Sequence, residues 1–362
     1  MSYIAAITIA VPKYKHAQAD NALFYSNTTT DENIKRKIKI VSNKSGIDTR
    51  YSVLPDYSKT NVNDFLFYPK NTALTPAPTL TQRMAVYKTE ALQLALTAVH
   101  KIENFNNYKH NITHIITVTC TGLFAPGLDI ELIQALNLKP TTQRSSINFM
   151  GCNAAILALN NANSICNSTP NANVLVVCVE LCTLHFQTEY TDDYIVSNTL
   201  FSDGCAATLV CTQPPALPYI QGLQLEEFNS LIISAGKNEM AWQLSERGFI
   251  MNLTSYVSAL INGEMQTLMN TLNINPTSIA YWAIHPGGKK IIDDFVTVLG
   301  LTPTHLQASY NVLREYGNMS SPTVLFVLKH IIENNTIAKN EIIFTAAFGP
   351  GLSIETLQLR YV

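Results

Sequence analysis

Three residues of this 362-residue chain stand in settings where their side chains can do chemistry. Cys152 follows Gly151 and precedes Asn153-Ala154-Ala155-Ile156-Leu157-Ala158, a strong helix-forming run. A thiol at a helix start faces unpaired backbone N–H groups and the positive end of the helix dipole, which favours the thiolate that attacks thioesters. The residue type alone equally allows a small, inert core cysteine. His285 lies in Ala283-Ile284-His285-Pro286-Gly287-Gly288, where the residues after an apolar run force a tight turn and let a ligand approach the backbone. An imidazole there can hold a thiolate as an ion pair and donate to a carbonyl oxygen, or it can be structural. Asn318, in Glu315-Tyr316-Gly317-Asn318-Met319-Ser320-Ser321, precedes a helical pattern. It reads either as an N-cap or as an amide that donates to a developing oxyanion or enolate.

The elements that must position these residues follow from periodicity. Apolar runs alternate with helical patterns along the chain, which predicts an α/β fold with a mainly parallel sheet. Strands are expected at 115–119, 174–179, 206–210, 279–284, 342–346 and 354–359, and helices at 82–99, 129–136, 154–163, 253–272 and 322–333. The opening SYIAAITIAVP is too short for a membrane span and has no basic start, so it reads as a buried first strand. A length of 362 exceeds what one core usually serves, so two halves are expected, 1–214 and 215–362, divided at the proline-rich stretch 212–218.

The halves repeat one order of features. From the strand end at Cys120 to Cys152 is 152 − 120 = 32 residues, and from His285 to Asn318 is 318 − 285 = 33. On to the middle of the next strand, the offsets are 176 − 152 = 24 and 344 − 318 = 26. Such a duplication brings Cys152, His285 and Asn318 together near a pseudo-twofold axis, at the carboxyl ends of strands where open α/β sheets bind ligands.

Composition narrows the function. Charged residues are only 14%, so much of the surface is expected in a large core or against another subunit. A net charge of −2 argues against nucleic acid as the main partner. Seven cysteines without a CxxC pair suggest neither a disulfide framework nor a metal site, and a reducing, cytoplasmic setting is expected.

The segments GNMSSPTVLFVL around Asn318, AIHPGG around His285, MGCNAA around Cys152, LFSDGCAA around Phe201 and AAFGPGLSIET near the C-terminus resemble type III polyketide synthases, the chalcone and stilbene synthase relatives. The matches run in order from about residue 30 to the end. This resemblance implies a thiolase-like five-layered α-β-α-β-α fold built from two duplicated halves, a homodimer, and coenzyme A thioesters as substrates without a bound cofactor. It implies that Cys152 takes the starter acyl group and carries the growing chain. His285 and Asn318 would hold the malonyl-CoA thioester carbonyl and stabilise the enolate formed as carbon dioxide leaves. The implied activity is an acyl transfer: iterative decarboxylative Claisen condensation of malonyl-CoA onto an acyl-CoA or malonyl-CoA starter, then cyclisation to a small phenolic or pyrone product.

The same resemblance marks the cavity. Phe201 and Met251 match the family's pair of gating aromatics, Met251 being slimmer and more flexible. Trp242 stands where plant members have a small glycine, Cys120 and Cys182 where they have threonines, and His185 replaces a further threonine; these departures look like bacterial members. Ser320 of the GNMSS segment joins the cavity set. Lys37 and Lys44 match basic residues of the coenzyme A tunnel, while Ile40 replaces an arginine; the stretch 34–44 also reads as a solvated amphipathic helix. Ala125 lies in the 122–127 loop, where the family places a residue that crosses into the partner's cavity. Two other readings compete: a non-iterating ketoacyl synthase III-like enzyme that uses an acyl carrier protein, and a silent homologue serving as a complex subunit. The intact Cys152, His285 and Asn318 set argues against the silent one.

Overall fold

The computed structural model describes residues 1–213, 222–253, 256–272 and 274–362. The first half runs β1 (Ser2–Ala10), β2 (Tyr14–Ala17), α1 (Gln18–Ser26), α2 (Glu32–Lys44), β3 (Thr49–Ser52), α3 (Leu80–His100), the short α4 (Phe105–Tyr108), β4 (His114–Thr119), α5 (Leu128–Ala135), β5 (Gln143–Asn148), α6 (Ala154–Ser168), β6 (Asn173–Leu181), α7 (Asp192–Leu200) and β7 (Asp203–Cys211). The second runs β8 (Leu223–Ile232), β9 (Met240–Ser245), β10 (Gly248–Leu253), α8 (Tyr256–Thr271), β11 (Tyr281–Ile284), α9 (Lys289–Val298), α10 (Gln307–Tyr316), α11 (Thr323–Asn334), β12 (Ile342–Gly349) and β13 (Ser353–Tyr361). The proline-rich stretch is only partly described, because residues 214–218 of it lie outside the described residues.

The strand order is β11-β12-β13-β8-β1-β7-β6-β4-β5, and it contains the duplication. In the first half, β4·β6 is parallel, while β6·β7 and β7·β1 are antiparallel. In the second, β11·β12 is parallel, while β12·β13 and β13·β8 are antiparallel, so the expected mainly parallel sheet is corrected: five of the eight pairings in this sheet are antiparallel. The pattern therefore equates β4 with β11, β6 with β12, β7 with β13 and β1 with β8. The two half-sheets meet through β1 and β8, paired antiparallel from Ser2–Leu225 to Ile4–Leu223.

Apolar burial sorts into three clusters that separate five layers. One lies between α3, α5 and the first half-sheet, with Ala91, Ala95, Leu132, Leu175 and Val177. The middle one holds α6 and α11 between the half-sheets, with Ala155, Leu159, Val324 and Leu328. The third packs α8 and α9 on the second half-sheet, with Ile261, Ile292, Phe295 and Phe344. The alanines of α6 let it sit close to both sheets. Since α6 and α11 are the central layer, the turns that begin them lie between the halves.

Candidate functional site

Cys152 occupies the turn ahead of α6, and that turn depends on a glycine. Gly151 has φ +87°, and a methyl group on it would come within 2.1 Å of Pro350 Cδ. A side chain is therefore excluded both by conformation and by the close approach of the Gly349-Pro350 segment. Asn318 begins the equivalent turn ahead of α11. Its Oδ1 accepts the Ser320 N–H at 2.8 Å, while Nδ2 makes a long contact, 3.5 Å, to the Gly287 carbonyl, and the Asn318 side chain also hydrogen-bonds the Cys152 thiol. The sequence left capping and oxyanion donation as alternatives; the amide oxygen holds the turn, and the amide nitrogen is left to face the site.

His285 follows β11 and is held by its own backbone, whose N–H donates to the Ala346 carbonyl at 2.8 Å. Its ring is fully buried, and neither ring nitrogen has a protein partner. Cys152, His285 and Asn318 line one cavity, together with Phe201, Met251, Gly287 and Ile291. Cys152 Sγ lies 3.5 Å from Ser320 Oγ.

Burial sets the protonation of these groups more strongly than the helix start does. It pushes the Cys152 thiol up to about 12 and the His285 imidazole down to about 3. The favourable helix start is thus opposed by a larger effect: the thiol is enclosed, and desolvation disfavours the lone charge. Each shift is the cost of burying one charge alone. Formed together, thiolate and imidazolium would offset that cost for each other.

Two further cavities adjoin the first. One is lined by Cys120, Cys182, Trp242, Ser320, Phe201 and Met251. The other is bordered by Cys182, His185, Trp242, Phe201 and Met251, with Arg50 and Asn21 on its polar side. Phe201 and Met251 therefore stand at the junction of all three. Phe201 is fixed from both halves. Arg50 donates to its carbonyl at 2.5 Å, and its neighbours Leu200 and Ser202 exchange backbone bonds with Asn318 of 3.1 and 2.8 Å.

Trp242 turns its ring into the cavities, where its indole N–H donates to the Cys120 carbonyl at 2.6 Å. It sits on the β9–β10 hairpin directly opposite Met251. His185 also borders the cavity, but its polar atoms are committed. Nδ1 accepts the Phe249 N–H at 3.0 Å, so the proton is on Nε2, which donates to the Thr121 carbonyl at 2.8 Å. Its ring stacks on Phe249 at 4.4 Å, and burial pulls its pKa down to about 3, so it is neutral.

Lys37 and Lys44 lie on α2 and line none of the three cavities. Lys37 pairs with Asp192 at the start of α7, and Ile40 is exposed. Across from the end of α2, the stem of Lys289 packs against Gly46, where an added methyl would sit 3.3 Å from it. Lys289 begins α9, whose first turn also supplies Ile291 to the Cys152 cavity.

Sequence reasoning passed over two buried charges. Arg50 has no local pattern to mark it. Glu180 did carry a signal, a lone acid at the end of the apolar run of β6. It is fully buried, and burial pushes its carboxyl up to about 7.

Comparison with known proteins gives a consistent set of likenesses. Residues 1–214 match the family model described as chalcone and stilbene synthases, N-terminal domain, and residues 224–362 match the corresponding C-terminal domain. The chain is 31% identical over 376 residues to "Probable polyketide synthase 1" of Dictyostelium discoideum, covering 100% of this chain but 11% of that protein. It superimposes on the C-terminal type III polyketide synthase domain of Steely1 from Dictyostelium with TM-score 0.91 and 28% identity, covering 100% of this chain and 99% of the other. Against PKS-I from the brown alga Ectocarpus siliculosus, the values are 0.90 and 26%, with 100% and 98% covered.

Proposed function

Because the chain belongs to the chalcone and stilbene synthase family, we propose that it is a type III polyketide synthase acting on coenzyme A thioesters. The observation that carries this reading is the convergence of Cys152, His285 and Asn318, from three elements and both halves, on one cavity. In the proposed cycle, Cys152 Sγ attacks the thioester carbonyl of an acyl-CoA starter. His285 receives the thiol proton on Nε2 and keeps it, while coenzyme A leaves as a thiolate that is protonated by solvent. Malonyl-CoA then binds with its thioester oxygen between His285 Nε2–H and Asn318 Nδ2–H. Loss of carbon dioxide leaves an enolate whose negative oxygen these two donors stabilise. The enolate carbon attacks the Cys152 thioester and expels the Cys152 thiolate, leaving the lengthened chain on coenzyme A. The thiolate then attacks that thioester, releasing free coenzyme A, and the next round begins.

Several features support finer parts of the reading. Phe201 and Met251 separate the reacting cavity from its neighbours, and Cys120, Cys182, His185, Trp242 and Ser320 shape the space for starter and chain. Trp242 occupies much of the room beside Cys120 and Cys182, which favours small starters such as malonyl-CoA. It also favours, as a second reading, a condensing enzyme that extends only once. Lys44 and Lys289, on either side of Gly46, and Lys37 are candidates to meet coenzyme A phosphates, although Lys37 is paired with Asp192 and Lys289 with Asp293. A homodimer is supported by β5, an exposed edge strand, and by the exposed side chains of Met150, just after β5, and of Leu123, in the loop that includes Ala125. Among the described residues, no helix is long and apolar enough to cross a membrane.

Mass spectrometry of products tests the reading. Purified protein is given malonyl-CoA alone and with short, aromatic and long-chain acyl-CoA starters. Products carrying several added acetate units support iteration, and a single addition supports the second reading. No product from any mixture with folded protein would refute the coenzyme A-dependent reading and leave a carrier-protein-dependent or silent homologue.

A further inference from the structure

Glu180 ends β6 where that strand reaches the site, and it is fully buried with no Lys, Arg or His among its recorded partners. Oε2 accepts the Cys120 N–H at 2.8 Å and the Thr121 hydroxyl at 2.7 Å, with a longer contact of 3.4 Å from Thr119. Oε1 accepts the Ser321 hydroxyl at 2.6 Å. Cys120 and Thr121 belong to the first half, Ser321 to the second, so this carboxylate is a bond between the halves. Its partners lead directly to the site. Cys120 Sγ accepts the Gly151 N–H at 3.0 Å, next to the nucleophile, and the Cys120 carbonyl takes the Trp242 indole. Ser321 adjoins Ser320, which lies against Cys152 and donates its own N–H to Asn318 Oδ1.

We propose that Glu180 is a positioning residue for the condensation: one carboxylate locks the Cys120-Thr121 turn to the Ser320-Ser321 turn, so that Cys152 and Asn318 keep a common geometry across the two halves. This rests on the reading of the site as a condensing centre. Uncharged donors hold an acceptor-only group best, so the brace is complete when the carboxyl is ionised, above about pH 7. The titratable groups facing it are Tyr87 of α3, Cys178 within β6, Cys205 of β7, and the site thiols Cys120, Cys152 and Cys182. All are neutral when protonated, so no cation offsets the carboxylate, and its charge raises the cost of a Cys152 thiolate.

Two variants test this. Glu180→Gln keeps the shape but replaces one acceptor oxygen by NH2, so Ser321 must turn from donor to acceptor, and the charge that strengthens every bond of the brace is gone. Ser321→Ala removes only the second-half donor and leaves the charge. Losing one such buried bond is expected to lower kcat for condensation about tenfold or more in both, with KM for malonyl-CoA little changed. The rate of Cys152 alkylation by iodoacetamide, followed against pH, is expected to move to lower pH in Glu180→Gln and to stay in place in Ser321→Ala. A merely structural carboxylate would leave kcat of both folded variants unchanged, whereas the alkylation shift reports only that the Glu180 charge reaches Cys152. Wild-type kcat in a folded Ser321→Ala, or an unmoved alkylation profile in a folded Glu180→Gln, would overturn the proposal; if Glu180→Gln fails to fold, Ser321→Ala decides. Alkylation needs no polyketide formation, so it reports on Glu180 even if the condensing role of the site fails.

Discussion

At the scale of single residues, the three that meet in one cavity could be picked out because each has a local context that does not depend on the rest of the fold. Gly151 before Cys152, Pro-Gly-Gly after His285 and Gly317 before Asn318 each announce a turn at an element boundary. Ionisation was not legible, because burial comes from both halves at once. If His285 stabilises the Cys152 thiolate as a pair, His285→Ala should move Cys152 alkylation to higher pH, since the thiol would then face desolvation alone; an unmoved profile would separate the two residues. Asn318→Ala should slow malonyl-CoA decarboxylation about 10²–10³-fold while leaving starter loading nearly intact. Equal losses in both steps would mean that its N-terminal turn, held through Oδ1, is all it supplies.

At the scale of elements, the central strands and helices were readable from continuous apolar runs, whereas segments with mixed patterns were not. The expected helix at 154–163 continues to Ser168, because its asparagines follow the helical face rather than end it. β5, reading QRSSIN, has no apolar alternation and was missed; pairing with β4 makes it a strand. The β9–β10 hairpin makes facing neighbours of Trp242 and Met251, which the sequence offered only as separate departures from the family pattern. Trp242→Gly should remove both a wall and the bond to the Cys120 carbonyl, and so widen the range of starters; an unchanged product profile would show that the ring does not limit the cavity. The basic residues of α2 illustrate the opposite case, since spacing alone could not show Lys37 engaged with Asp192, or Lys289 arriving from α9. Exposed ionic contacts are worth about 0.2–1 kcal/mol, so Lys289→Ala should raise KM for malonyl-CoA about two- to fivefold. Its KM for the N-acetylcysteamine thioester, which has no phosphates, should not change.

At the scale of the whole molecule, equal spacings in the two halves foretold a pseudo-twofold arrangement, and the matched pairing of β4, β6, β7 and β1 with β11, β12, β13 and β8 embodies it. The copies have diverged where chemistry divides between them: the turn before α6 carries a thiol, and the turn before α11 carries an amide. Among the described residues, β5 has no counterpart in the second half, so the sheet ends on β5 at one edge and on β11 at the other, and β5 is the edge whose side chains are mostly exposed. Light scattering during size-exclusion chromatography should accordingly read a dimer. The central claim is that Cys152 carries a chain which malonyl-CoA extends within the same cavity, and intact-protein mass spectrometry reads this directly. Protein is pulsed with an acyl-CoA starter, chased with malonyl-CoA, quenched and weighed. The account predicts a starter adduct on Cys152 that grows by acetate units and is missing from Cys152→Ala. An adduct that forms on the Cys152→Ala protein, or one on Cys152 that never grows, would contradict it.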